Sequence, residues 1–345
     1  MRRIAMISLA LVLLLLAGCA PHPAPELQAQ NTATPVPVYA LVLKDTKNLY
    51  MHRMGEGFAA ACAELSVTAR IEGPGASSAS EQAAIIDTLV AQGVSAIAVA
   101  ANEKDALDPA LGAALRAGIK VISLDAQVNV ESRLVHIQQA DPERIGRVLI
   151  QAAHKMIGGQ GQAAILSTAA AMPNQAVWVQ WMLRELAEYP EKYAGMHLAG
   201  IAYGQDEYEA SAQATRDLLA SNPDLSIIIA PTTVGLLAAA SVIEQTRSDV
   251  LVTGLGLPSE MEKYILEGIC PWMYLWNPID IGYLSAYALD ALRTGTITGA
   301  QGETFAAGSI GEKLITRSED GGSEVVLGNP LKFDLDNIAL WRDAL

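Results

Sequence analysis

Lys44 with Asn48, Asn102, Asp125, Asn174 with Gln175, Thr232 with Thr233, and Gly256 share one property: each lies at the end of, or shortly after, a short run of β-branched and apolar residues. Apart from the glycine, they supply amides, hydroxyls, one carboxylate and one ammonium, groups that donate and accept hydrogen bonds directionally. Such a set suits an uncharged ligand with many hydroxyls better than it suits bond-making chemistry. Each residue also has a plainer use. Asn102, Asn174 and Thr233 are able to cap helices, and Asp125 is able to hold a turn. As ligand groups, Asp125 would accept two hydroxyl hydrogen bonds, while Lys44 donates and balances the buried charge. Met51 and aromatic rings would cover an apolar ligand face.

Motifs for catalysis or nucleotide binding are missing. GGQGQ (158–162) lacks the Gly-Lys-Ser/Thr ending of a phosphate loop, and GLGLP (254–258) lacks the third glycine of a dinucleotide fingerprint. There is no Gly-x-Ser-x-Gly elbow and no His-Glu-x-x-His helix. His22, His52, His136, His154 and His197 lie far apart without metal-ligand spacing, so neither metal nor cofactor is expected. Cys62 and Cys270 are open to pairing or to burial as free thiols. The reading is a binding protein rather than an enzyme.

The elements that must position these residues alternate regularly. VYALVLK (38–44), TARIEG (68–73), AIAVAA (96–101) and KVISLD (120–125) are separated by helical segments near Tyr50 to Leu65, Ser80 to Gln92 and Ala106 to Ala117. The alternation restarts with a helix near Pro142 to Ile157, then QAAILST (162–168), MHLAGIAYG (196–204), SIIIAPT (226–232) and VLVTGLG (250–256) with helices between them. This pattern predicts an α/β fold of two doubly wound lobes, with ligands held beyond the carboxyl ends of the strands and between the lobes.

Residues 1–19 read as a signal peptide. Arg2 and Arg3 precede an apolar run too short to span a bilayer, and Leu16-Ala17-Gly18-Cys19 resembles the lipobox of bacterial lipoproteins, with Cys19 as the lipidated residue. Residues 20–37, rich in Pro, Ala, Gln and Thr, read as a disordered tether. Loss of Arg2 and Arg3 takes the formal charge from -14 to -16, which argues against nucleic acid as a partner. Export and attachment to the cell membrane, facing outward, are expected.

IIIAPTTVGLLAAA, VLVTGLGLPSEM, LWNPIDIGY and LGNPLKFDLDNI resemble the rhamnose-binding group of type I periplasmic solute-binding proteins of ABC sugar importers. That group is close to autoinducer-2-binding proteins and more distant from ribose-binding proteins. The resemblance implies two lobes joined by three crossover segments, 38–138 plus 277–306 and 139–276 plus 307–345. It also implies a monomer that closes on a monosaccharide and presents it to a membrane permease.

Lys44 and Asp125 match ligand positions of the autoinducer-2 relatives. Asn174-Gln175 replaces their Asp-Gln, Pro231 matches, and Thr233 replaces their alanine. Asn48, Tyr50, Met51 and Asn102 match sugar-lining positions of the ribose-binding relatives, whereas Gly256 stands where those carry a second-lobe aspartate. These departures favour rhamnose or another deoxyhexose over autoinducer-2 or a pentose. A sugar-sensing subunit for a kinase or chemoreceptor is the alternative role.

In GICPWMYLWNPIDIGY (268–283), Met273 and Leu275 read as the buried face of a strand. The resemblance puts Trp276 at a cleft position on a crossover segment. Asn277-Pro278 reads as a helix start, which leaves Asp280 divided between capping and ligand binding.

Overall fold

Apolar strands alternating with helices build two sheets, as the sequence pattern requires. In the computed structural model, which describes residues 35–345, the first lobe opens with β1 (Val38–Val42), α1 (Leu49–Glu64), β2 (Thr68–Glu72), α2 (Ala79–Ala91), β3 (Ala96–Val99), α3 (Asp108–Arg116), β4 (Lys120–Leu124) and β5 (Val135–Gln138). The second lobe begins with α4 (Pro142–Met156), β6 (Gly161–Ser167), α5 (Pro173–Glu188), β7 (Met196–Tyr203) and α6 (Tyr208–Ser221). It continues with β8 (Leu225–Ala230), α7 (Thr233–Thr246), β9 (Leu251–Gly254), α8 (Pro258–Leu266) and β10 (Trp272–Leu275). Then come α9 (Pro278–Thr294), β11 (Thr304–Ala306), β12 (Glu312–Leu314), β13 (Thr316–Arg317), β14 (Ser323–Val326), β15 (Leu331–Asp334) and α10 (Ile338–Trp341). The expected signal peptide, Cys19 and residues 20–34 of the expected tether lie outside the described residues.

The first sheet has the order β13-β14-β5-β4-β3-β1-β2, and the second β7-β6-β8-β9. All pairs are parallel except β13 with β14. Helices cover both faces of a parallel sheet, so its central strands bury every residue; Ala96–Val99 is an instance. This is why the strands read as continuous apolar runs.

Pairing also fixes where the chain passes between lobes. α9 follows β10 back to the first lobe and packs on α1, and β14 then adds to the edge of β5, pairing Glu324 with His136 and Val326 with Gln138. β15 returns to the second lobe and pairs antiparallel with β10. The three crossings therefore lie near 139–141, 276–277 and 327–330.

Residues 307–326, expected in the second lobe, hold instead to the first; only the segment after them crosses. The cause is a polar strand that gives no apolar signal. His136 Nδ1 lies 2.9 Å from Ser123 Oγ, His136 Nε2 lies 2.7 Å from Gln138 Oε1, and Gln138 Nε2 donates to the Ala140 carbonyl at 3.0 Å. Buried polar groups satisfied in this way let β5 sit inside the sheet and accept β14.

The α1–α9 contact sets the distance between the first strand exit and the second crossing. A Cβ on Gly57 would lie 1.9 Å from the Ile279 carbonyl oxygen, and one on Gly282 would lie 1.9 Å from that of Met54. The two helices touch backbone to backbone there, and no side chain fits. Gly282→Ala is expected to lower stability by about 1–3 kcal/mol through overpacking. Urea denaturation checks this; an unchanged midpoint would show that the helices separate freely.

Candidate functional site

The corner after β1 is built by side chains bonding to their own backbone. Asp45 Oδ1 accepts from the Lys47 and Asn48 amides at 2.8 Å each, and Asn48 Oδ1 accepts from the Tyr50 amide at 2.9 Å, capping α1. Lys44 and Tyr50 are thereby turned towards the same group, the carboxylate of Asp125. Asp125 itself has φ 60°, a left-handed backbone that is unfavourable for a residue with a Cβ.

Asp125 is 3% exposed and Lys44 4%, and Lys44 Nζ lies 2.6 Å from Asp125 Oδ2. Tyr50 donates its hydroxyl to Oδ1 at 3.0 Å, and Gln139 Nε2 donates to the same oxygen at 3.3 Å. From the second lobe, Asn174 Nδ2 donates to Oδ2 at 3.2 Å. Four donors on two oxygens fill the carboxylate's accepting capacity. Burial, and next the Asp125 charge, hold the Tyr50 phenol well above its usual pKa, so it remains a neutral donor. Trp276 Nε1 donates to the Tyr50 oxygen at 2.6 Å, which ties the second crossing into the cluster.

Around this cluster lies a cavity in which about 380 Å³ is free of protein atoms, open solvent at its mouth included. Its lining brings together eleven of the residues expected from sequence: Lys44, Asn48, Tyr50, Met51, Asp125, Asn174, Gln175, Pro231, Thr232, Thr233 and Trp276. Gln175 Oε1 accepts from Ser167 Oγ at 2.7 Å and from the Thr168 amide at 3.0 Å, leaving its amide nitrogen without a partner among the described residues. Trp276 stands edge-on to both Tyr50 and Trp178, with ring centroids 6.5 and 5.7 Å away.

Two expected residues lie elsewhere. Asn102 borders an outer cleft with Thr168 and Met172; its Nδ2 donates to the Lys44 carbonyl at 2.9 Å, so it braces the corner from behind. Asp280 is half-buried on the first turn of α9 and is not part of the cavity lining. There burial raises its pKa, while Asn277 and the charge of Lys313 lower it. Asn277, not Asp280, makes the cap bond, accepting from the Ile279 amide at 2.9 Å.

Sequence reasoning missed four lining residues, Trp178, Asp206, Leu255 and Leu275, as well as Gln139 beneath them. Trp178 is four residues beyond Asn174 on α5, so helical spacing would have found it. Asp206 lies just past β7, at a strand exit like the others. Gly256 is explained by packing: a Cβ there would meet Met273 Sδ at 2.5 Å and Leu236 Cδ2 at 2.8 Å. Among the described residues there is no cluster with the makings of a metal site, and no helix is long and apolar enough to cross a membrane.

Residues 39–297 match a family model described as a periplasmic binding protein domain. The chain is 40% identical to an ABC transporter solute-binding protein from Clostridium phytofermentas solved with bound L-rhamnose, covering 90% of this chain and 100% of that one with a TM-score of 0.87. It is 35% identical to a sugar ABC transporter protein from Actinomyces odontolyticus, covering 88% and 97%, with a TM-score of 0.71. LsrB from Clostridium saccharobutylicum, solved with AI-2, shares the fold at 20% identity, coverage of 88% and 99%, and a TM-score of 0.82.

Removing one partner of a buried ion pair strands the other charge. Asp125→Ala is therefore expected to cost about 3–5 kcal/mol of stability, and adding Lys44→Met to recover a large part of it. Urea unfolding of the two single variants and the double variant measures the coupling. Additive losses would mean that the pair is not energetically linked.

Proposed function

The chain belongs to the periplasmic binding protein domain family, and from that premise we propose that it is the sugar-binding lipoprotein of an ABC importer, with L-rhamnose or another 6-deoxyhexose as ligand. The observation that carries this reading is the mixed composition of the cavity wall. Around the filled Asp125 carboxylate, Lys44, Asn174, Gln175, Asp206, Thr232 and Thr233 supply donors and acceptors, while Met51, Trp178, Leu255, Leu275 and Trp276 supply apolar surface. A deoxyhexose presents both hydroxyls and a methyl group to such a wall. The 40% identity to a protein solved with L-rhamnose supports the same ligand.

Binding works through closure. Lys44 and Met51 belong to the first lobe, and Asn174, Gln175 and Thr232 to the second, so a sugar touching both favours the closed arrangement over the open one. The closed, loaded protein then docks on a membrane permease. Export, lipidation at Cys19 and action as a monomer complete the proposal, and the acidic balance of the chain fits a neutral ligand rather than an anionic one. No step in this scheme changes the sugar covalently.

Calorimetry with L-rhamnose, L-mannose, L-fucose, D-ribose, D-xylose and autoinducer-2 tests the ligand. L-rhamnose is expected to bind tightest. L-mannose, which differs only by a hydroxyl on the methyl carbon, should be weaker by about 10- to 100-fold, because that hydroxyl would be stripped of water against an apolar wall. Heat from ribose or autoinducer-2 with none from any deoxyhexose would reassign the ligand. A sugar consumed on incubation would indicate an enzyme.

A further inference from the structure

Resting on the sugar-binding reading, we propose that Asp206 is a second ligand-binding carboxylate, contributed by the second lobe, whose free oxygen accepts a sugar hydroxyl and selects among hydroxylated sugars. β7 ends at Tyr203, and the chain leaves it through Gly204, Gln205 and Asp206. Backbone bonds pin this exit to the neighbouring strand end: the Gly204 amide donates to the Ser167 carbonyl at 2.9 Å and the Gln205 amide to that of Thr168 at 2.8 Å. Gln205 and Asp206 then both take left-handed backbone, with φ 55° and 57°. Two consecutive residues with side chains in that region are costly, and the turn they make brings Asp206 into the lining of the cavity.

The carboxylate is held and half used. Thr232 occupies the N-cap position of α7, yet its side chain makes no cap bond. Its hydroxyl donates instead to Asp206 Oδ1 at 3.1 Å. Among the described residues no group donates to Oδ2. Asp125 is the opposite case, with two donors on each oxygen.

Charge points the same way. The ammonium of Lys44 is committed to Asp125 at 2.6 Å. Burial raises the Asp206 pKa; Lys44 and the Thr232 bond lower it, while Asp45 and Asp125 raise it further. Asp206 is half-buried, so its free oxygen is accessible from the cavity, and a sugar hydroxyl is a donor that would fill it. Asp206 and Asn48 also border an outer pocket with Asp45, Lys47 and Tyr208.

Calorimetry of the full exported chain, wild type, Asp206→Asn and Asp206→Ala, with L-rhamnose and its 1-, 2-, 3- and 4-deoxy derivatives tests this. Asparagine tolerates left-handed backbone and keeps an acceptor for Thr232, so the Asn variant serves if the Ala variant melts early. Asp206→Ala is expected to lose about 10- to 100-fold in rhamnose affinity. One deoxy sugar should be penalised in the wild type and lose that penalty in the variant, which is the signature of a direct contact. Affinities within twofold of wild type in both variants would overturn the proposal, as would identical deoxy penalties in wild type and Asp206→Ala. A wild-type protein that binds none of these sugars overturns the sugar reading and this inference together.

Discussion

A buried carboxylate is the constraint on which the site depends. Moving an ionised group out of water costs several kcal/mol, and Asp125 is nearly inaccessible, so its position is tolerable only where donors converge on it. Those donors come from separate parts of the chain: the exit of β1, the first turn of α1, the first crossing and the start of α5. Lys44 supplies the opposite charge, and the three neutral donors fill the remaining lone pairs. The left-handed backbone at Asp125 is held in place by this convergence, since relaxing it would withdraw the carboxylate from all four partners.

On the closure scheme proposed above, the same carboxylate would couple the site to the lobes. Asn174 is the donor from the second lobe, and Gln139 and Trp276 stand on crossings, Trp276 acting through the Tyr50 hydroxyl. Opening the cleft would break the Asn174 bond and leave part of Asp125 unsatisfied unless water enters. Closing would restore the bond and add the ligand's hydroxyls to the remaining polar wall. Crossing segments and binding group are parts of one hydrogen-bond network, so in that scheme a ligand would shift the balance of open and closed forms by its differential contacts alone.

Much of this was legible because strand exits can be read from apolar runs. Lys44, Asp125, Asn174 and Thr232 are legible from their positions at strand exits. Position did not reveal role: Asn102 is at a strand exit but holds the Lys44 backbone, and Thr232 is at a cap position but does not cap. What stayed hidden depends on pairing between distant segments. The polarity of β5 conceals a buried strand, and β14 has meaning only as its neighbour nearly two hundred residues later. Asp206 stands at a strand exit like the others, but the left-handed backbone at Gln205 and Asp206 that turns the chain there has no signature in sequence.

Gly256 and Asp206 together suggest how a shared framework changes its ligand. The resemblance to ribose-binding proteins puts a second-lobe aspartate at the position of Gly256. Here the Met273 sulfur and the Leu236 methyl occupy the space where a side chain would begin, so a carboxylate at this exit would require repacking beneath β10. The second-lobe carboxylate proposed here comes instead from the exit of β7, at the opposite edge of the sheet order β7-β6-β8-β9 with β6 and β8 between. Relocating the acceptor leaves the end of β9 to Leu255 at the cavity wall, with Leu275 of β10 also lining it. A deoxyhexose presents both hydroxyls and a methyl group to a wall of this mixed composition, whereas a pentose has no methyl group to set against its apolar residues.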